Sequence, residues 1–360
     1  MLDAKADKKW SELQDTPLEL TLTRESEGDE LTGSFSENEE LKELLNAKNI
    51  TPVPKDCLGL RVGIVNKEGT ELILRIKDLL PTLAENMPYS DKYKQDMVSG
   101  KIKQSMVDAD IILLAGNVGA YRSGLTEADN LPNDDKLSFS IGGGKRNVFH
   151  RQIRSKNGPE IKGKIEEILD PEQLKYYNAE AEHWFTIGHE NTHSLGPKNK
   201  IDNLGIYSSI IEENKADMGG LGFADILTQL DYYTIEERKQ LIVTSMLEFF
   251  ISAKPHLSEA HEVRNVMQNY YFFQKKAYKI TENGKIYVDI DKVVPAAYEM
   301  LEEIIKVQLN NTLKEGERYV NKYFHWTKEM ELIANKLNKL DSMLNCKFEN
   351  KLADKLLSEN

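Results

Sequence analysis

His189-Glu190-Asn191-Thr192-His193 sets two imidazoles four residues apart with a glutamate between them. On a helix this spacing puts both histidines on one face, about one turn apart, where they can share one cation. Neutral imidazole is a good zinc ligand. Glu190, beside the first histidine, projects next to the metal's open position and can take a proton from water. The arrangement is the zinc-hydrolase pattern; its rival is a structural helix that carries two histidines for packing.

A catalytic zinc takes three protein ligands and keeps a fourth position open. Just downstream, Glu212-Glu213-Asn214-Lys215-Ala216-Asp217 sets acids among the apolar and small residues Ile210, Ile211, Ala216, Met218, Gly219 and Gly220. Acids buried there need partners. Glu213 and Asp217 are four apart and face the same way, so one can bind metal while the other orients a ligand imidazole through its free N–H. Glu212 points about 100° away. A solvated acidic face would continue with charge on the next turn, where the chain instead reads Met218-Gly219-Gly220-Leu221-Gly222-Phe223.

Helices must hold both segments. Leu174, Tyr177, Ala181, Trp184, Phe185 and Gly188 recur at helical spacing, which predicts a helix from Pro171 with Asp170 as its cap. Further helices are predicted at about 204–230, 235–252, 258–279, 292–313 and 326–356. They are separated by Pro255, by the Asn283-Gly284 turn with a short strand from Lys285 to Ile290, and by Gly316. On the last helix Met330, Leu332, Ile333, Leu337, Leu340, Met343 and Leu344 form a stripe suited to intramolecular packing.

Residues 57–150 read as a mixed α/β unit, with strands at Leu58–Val65 and Ile111–Ala115 and a helix from Glu71 to about Lys103. Asn130-Leu131-Pro132-Asn133-Asp134 reads as a turn. Gly142 to Gly144 reads as a tight bend before the strand-like Asn147-Val148-Phe149, since it lacks the helix-opening context of a phosphate loop. The fold class is α+β: a poorly patterned segment 1–50, a mixed α/β region 51–165 and a mainly helical region 166–360, with a cleft between the last two.

The 360 residues are 40% apolar and 29% charged, which suits packed domains and excludes wholesale disorder. With 59 acidic and 47 basic residues the net charge is -12, so no global field draws nucleic acid or an anionic membrane. No run reaches membrane-spanning length and the first residues lack a secretory apolar core, so a cytoplasmic protein is expected. Cys57 and Cys346 alone can build neither a disulfide framework nor a cysteine knuckle, which leaves His and carboxylate to hold any metal.

At the residue level the chain resembles the dipeptidyl peptidase III family of zinc metallopeptidases. The likeness lies in His189-Glu190-Asn191-Thr192-His193-Ser194-Leu195-Gly196-Pro197 and in Glu212-Glu213-Asn214-Lys215-Ala216-Asp217, in the family's order. Animal and yeast members have one more residue between the histidines. The five-residue form here is similar to the branch that includes proteins with an attached NUDIX domain, of which no pattern is present. The resemblance implies His189, His193 and Glu213 as zinc ligands, Glu190 as general base, and Glu212 and Asp217 as supporting acids. It implies Asn130 and Asn133 as holders of a peptide's amino end. Ala260-His261-Glu262-Val263-Arg264 resembles the family's histidine and arginine cluster, which implies His261 at the transition state and Arg264 at the substrate.

The resemblance spans roughly residues 100–325 and is sharpest over 184–220. The family's upstream glutamate-containing stretch, which anchors the substrate amine, is not found in residues 1–100. Product length depends on the distance from that anchor to the metal, so dipeptide release in particular stays open. The expected protein is a zinc-dependent peptidase acting on short peptides, from their N-termini, with Zn2+ as cofactor. Its alternative is a zinc-stabilised scaffold that binds a peptide or partner without cleaving it. Oligomeric state is not set by these residues. His150, His183, His256 and His325 are expected in structural or solvent roles.

Overall fold

In the computed structural model, residues 17–26, 56–93, 105–115, 128–131, 146–151, 163–197, 201–257 and 259–344 are described. Five of their strands form one sheet: β1 (Leu18–Ser26), β2 (Asp56–Asn66), β3 (Ser105–Ala115), β4 (Ala128–Leu131) and β5 (Arg146–His150). The order is β1-β2-β3-β5-β4, antiparallel except for the β3–β5 pair.

β1 lies in the stretch that composition alone marks as poorly patterned. Its Leu18-Glu19-Leu20-Thr21-Leu22-Thr23 alternation has the strand period of two, and it pairs in register with β2 from Leu18↔Ile64 to Ser26↔Asp56. Asn130 and Leu131 end β4 instead of making a turn, because pairing with Asn147 and Arg146 of β5 overrides the local turn preference of asparagine. Gly28 to Ser34, Asn133 and Gly142 to Gly144 lie outside the described residues.

The single helix predicted from Glu71 is broken. Asn66 caps α1 (Lys67–Leu74) by accepting the Gly69 N–H, and α2 (Leu80–Glu85) follows a 3-10 turn. Pro81 fits only the start of a helix, and Pro88 disfavours helical backbone at Met87; Tyr89 then takes a left-handed φ of 57°.

Asp170 does cap a helix at Pro171, but it is a 3-10 segment, Pro171–Tyr176. Asn178 then caps α3 (Ala179–His193) by accepting the Glu180 N–H. Next come α4 (Ser208–Gly222), α5 (Ala224–Gln229), α6 (Ile235–Glu248) and α7 (Ala260–Gln274). The hairpin β6 (Tyr278–Ile280) to β7 (Ile286–Val288) leads to α8 (Ile290–Asn310), α9 (Leu313–Tyr323) and α10 (Lys328–Leu344). Helix α9 has no counterpart in the sequence reading. Gly316, a helix separator by residue type, lies inside it, where a Cβ would stand 3.1 Å from Tyr207 Cβ. The glycine marks a close approach and not a break.

One apolar core runs through both parts. Met106 and Phe149 on one face of the sheet join it, while Val107, Ala109 and Val148 on the opposite face form a separate small cluster. Phe149 packs edge-on to His183 of α3, ring centroids 5.5 Å apart. Ile187 of α3, Met218 and Leu221 of α4, Met267 of α7 and Leu301 and Ile304 of α8 are fully buried. Each such side chain contributes about 1.5–3 kcal/mol, so this packing sets where α3, α4, α7 and α8 lie around the two motifs. Among the described residues no helix is long and apolar enough to cross a membrane.

Candidate metal centre

Helices α3 and α4 meet through glycine. A Cβ on Gly188 would stand 3.0 Å from Gly220 Cα, and one on Gly219 would stand 2.2 Å from Thr192 Cγ2. Backbone therefore lies against backbone. Thr192, its hydroxyl donating to the Gly188 carbonyl at 2.8 Å, fills the notch over Gly219.

This approach brings the two motifs together. His189 Nε2 and His193 Nε2 are 3.0 Å apart. Glu213 reaches both, with Oε2 3.4 Å from His189 Nε2 and Oε1 3.8 Å from His193 Nε2. One donor atom from each of the three residues lies within 4.8 Å of the others. Their side chains are 12%, 13% and 18% exposed, so a small cation can enter without bulk water competing at every position.

Each imidazole is held from behind by a carboxylate. His189 Nδ1 is 2.7 Å from Asp217 Oδ1, and His193 Nδ1 is 3.1 Å from Glu212 Oε1. With hydrogens on both Nδ1 atoms, both Nε2 lone pairs face one space beside a carboxylate. Converging electron-pair donors repel unless a positive charge sits among them, and an N,N,O donor set suits zinc. The residues fit a resident zinc ion.

The acids that do this holding are themselves held. Glu212 accepts from Lys215 and from Gln308 of α8, with contacts of 2.7 and 2.9 Å. Asp217, fully buried, accepts from Gln268 at 2.9 Å and lies 2.7 Å from Arg264 Nε. Gln268 also donates to Asn214 at 2.9 Å, and Asn214 donates to the Tyr319 hydroxyl at 3.0 Å.

Electrostatics follow from these pairings. Burial pushes His189 down, but its hydrogen bonds to Asp217 and Glu213, and their charges, outweigh that and take it up to about 10. Burial pushes Glu212 up; the Lys215 charge and the His193 hydrogen bond overcome this and bring it to about 2. Glu213 is held well below the usual carboxylate range: burial is outweighed by His193, His189 and Arg264. Asp217 is lowered in the same way, chiefly by Arg264 and His189 against burial. In the metal-free chain a proton on His189 supplies the charge that a metal would otherwise bring.

Glu190 is buried on α3, 8% exposed. His261, on the first turn of α7, has its side chain 72% exposed and Nε2 3.3 Å from Glu213 Oε2. Arg264, one turn on, bonds Glu213 Oε2 at 2.6 Å as well as lying against Asp217. Asn130 lies in β4 and Asn133 outside the described residues. His150 and His183 are buried, and His256 and His325 are exposed.

Lys215, Gln268 and Gln308 join the site without a place in the sequence motifs' expected ligand set. Lys215 lies inside the acidic motif, where its burial could have been suspected. The two glutamines, far along the chain, carry no local signal.

No family profile matches the chain. It is 26% identical over 273 residues to Nudix hydrolase 3 of Arabidopsis thaliana, covering 73% of this chain and 34% of that protein. The solved structure of DPP III from Caldithrix abyssi superposes with a TM-score of 0.75 at 20% identity, over 92% of this chain and 61% of that one. Dipeptidyl-peptidase III from Corallococcus sp. strain EGB gives 0.77 at 20% identity, over 94% and 60%. The chain therefore has a dipeptidyl-peptidase-III-like α+β fold, as the resemblance implies. It spans about three fifths of those structures and a third of the curated relative.

Proposed function

We propose that this chain is a zinc-dependent peptidase that hydrolyses short peptides from their N-termini. The carrying observation is the convergence of His189 Nε2, His193 Nε2 and the Glu213 carboxylate, with a carboxylate behind each Nδ1. The dipeptidyl-peptidase-III-like fold supports peptides as the substrate class.

His189, His193 and Glu213 would hold the zinc. When bound, zinc polarises the scissile carbonyl and lowers the pKa of water to about 7. Glu190 accepts the proton of the attacking water on its carboxylate and returns it to the leaving amine. His261, open to solvent beside Glu213, donates to the developing oxyanion. Asn130 and Asn133 hold the peptide's amino end. Arg264 keeps only its N–H groups beyond Glu213 and Asp217 for substrate, so its first task is to balance those two carboxylates.

Metal titration of the apo-protein followed by mass spectrometry of peptide products tests this reading. One zinc per chain, lost in His193→Ala, and products shortened by two residues from the N-terminus are expected. Another regular length keeps the catalyst and replaces its register. A zinc-loaded chain that cleaves no peptide supports the binding scaffold instead.

A further inference from the structure

Lys215 is an internal lysine on α4, 2% exposed, between the metal-binding Glu213 and the supporting Asp217. Its ammonium lies 2.7 Å from Glu212 Oε1 and donates to the carbonyls of Leu195 at 2.8 Å and His193 at 3.4 Å. Three partners suit its three hydrogens. Each also bears on His193. Glu212 Oε1 is the very oxygen that faces His193 Nδ1 at 3.1 Å, and the two carbonyls belong to His193 and the turn that follows it.

Those carbonyls lie at the C-terminal end of α3, which lacks intrahelical partners and carries the negative end of the helix dipole. A buried cation there serves two ends at once. It fixes the helix end that carries His193, and it neutralises the carboxylate that sets the tautomer of His193. Gly196 turns back over the lysine stem at φ 94°; a Cβ there would stand 3.5 Å from Lys215 Cδ. His189 has a matching arrangement, with Arg264 Nε 2.7 Å from Asp217 Oδ2 and Asp217 Oδ1 against the ring. Each of the two histidines is thus backed by a carboxylate and then a cation, buried in the case of Lys215 and largely buried in that of Arg264.

We propose that Lys215 is a positioning residue of the metal centre, which keeps Glu212 on His193 Nδ1 and so keeps the Nε2 lone pair of His193 aimed at the metal. This inference rests on the zinc reading above and deepens it. A lysine that only pinned the helix end would act on folding and not on the metal through Glu212, and the two cases separate by experiment.

Zinc affinity is measured by competition with a chromophoric chelator, first for wild type. Absence of zinc binding there overturns the metal reading itself. Given wild-type binding, Lys215→Met should bind zinc about 10- to 100-fold more weakly, the usual cost of losing a group that orients a ligand. Lys215→Arg should restore the affinity and the visible spectrum of the cobalt-loaded protein, which Lys215→Met should shift. In a Glu212→Gln background, Lys215→Met should cost clearly less than it does in the wild-type background. Wild-type affinity in folded Lys215→Met, or an equal loss in both backgrounds, overturns the proposal. Should Lys215→Met fail to fold, Lys215→Gln keeps a donor for the carbonyls, removes the charge, and carries the same expectation and the same overturning result.

Discussion

Asp217, fully buried, holds one carboxylate oxygen 2.7 Å from His189 Nδ1 while Arg264 Nε stands 2.7 Å from the other. The carboxylate holds the His189 ring, which would orient it as a ligand of the proposed zinc site, and it offsets a largely buried guanidinium. Asp217→Asn keeps the shape and removes the charge, so zinc affinity should fall about 10- to 100-fold. Asp217→Ala also removes one of the two carboxylates that balance Arg264, leaving Glu213 to do so, and should cost about 1–3 kcal/mol of stability. Chelator competition and urea unfolding check the two, and wild-type values in both variants would contradict the geometry.

Helix contact through glycine makes a second expectation. Gly219→Ala drives a methyl to 2.2 Å from Thr192 Cγ2, and Thr192 is tied to Gly188. The variant should lose about 1–3 kcal/mol, with weaker zinc binding as α3 and α4 spread. Gly163→Ala meets nothing within 4 Å and should stay within about 0.5 kcal/mol of wild type. Denaturant midpoints of the pair, with unchanged slopes, decide it.

Zinc binding should depend on pH through His189. Its folded pKa, up to about 10 without metal, lies above the ordinary value near 6.5, so protonation stabilises the metal-free chain fully below that ordinary value. This stabilisation is lost as pH rises through about 10. Zinc must displace the same proton, so affinity should rise about tenfold per pH unit between those limits, with one proton released. Glu212, brought to about 2, stays ionised across the window. Calorimetry in buffers of different ionisation enthalpy counts the proton; zinc affinity that does not change with pH there would contradict the assignment.

Much of the centre was legible because each motif lies on one helix, where spacing alone sets the face. The helical period puts His189 and His193 on one face of α3 and Glu213 and Asp217 on one face of α4, while the choice of Glu213 over Asp217 as third ligand rests on the family resemblance. Their backing was not legible. Arg264 and Gln268 arrive from α7 and Gln308 from α8, through tertiary packing that leaves no local trace. Glycine misled at Gly316, where close approach to Tyr207 resembles a helix stop, and polar composition hid the period of two in β1. Pro81 and Pro88 carry the signal for the broken helix after Asn66.

In the proposed peptidase Glu190 moves the proton while His189, His193 and Glu213 hold zinc. The measurement is mass spectrometry of a short-peptide mixture incubated with equal amounts of zinc-loaded wild type and Glu190→Gln, with metal content determined in both. Equal zinc, with regular N-terminal products from wild type and turnover at least about 100-fold lower in the variant, is the predicted result. Comparable turnover in Glu190→Gln, with contaminating peptidase excluded, would contradict it.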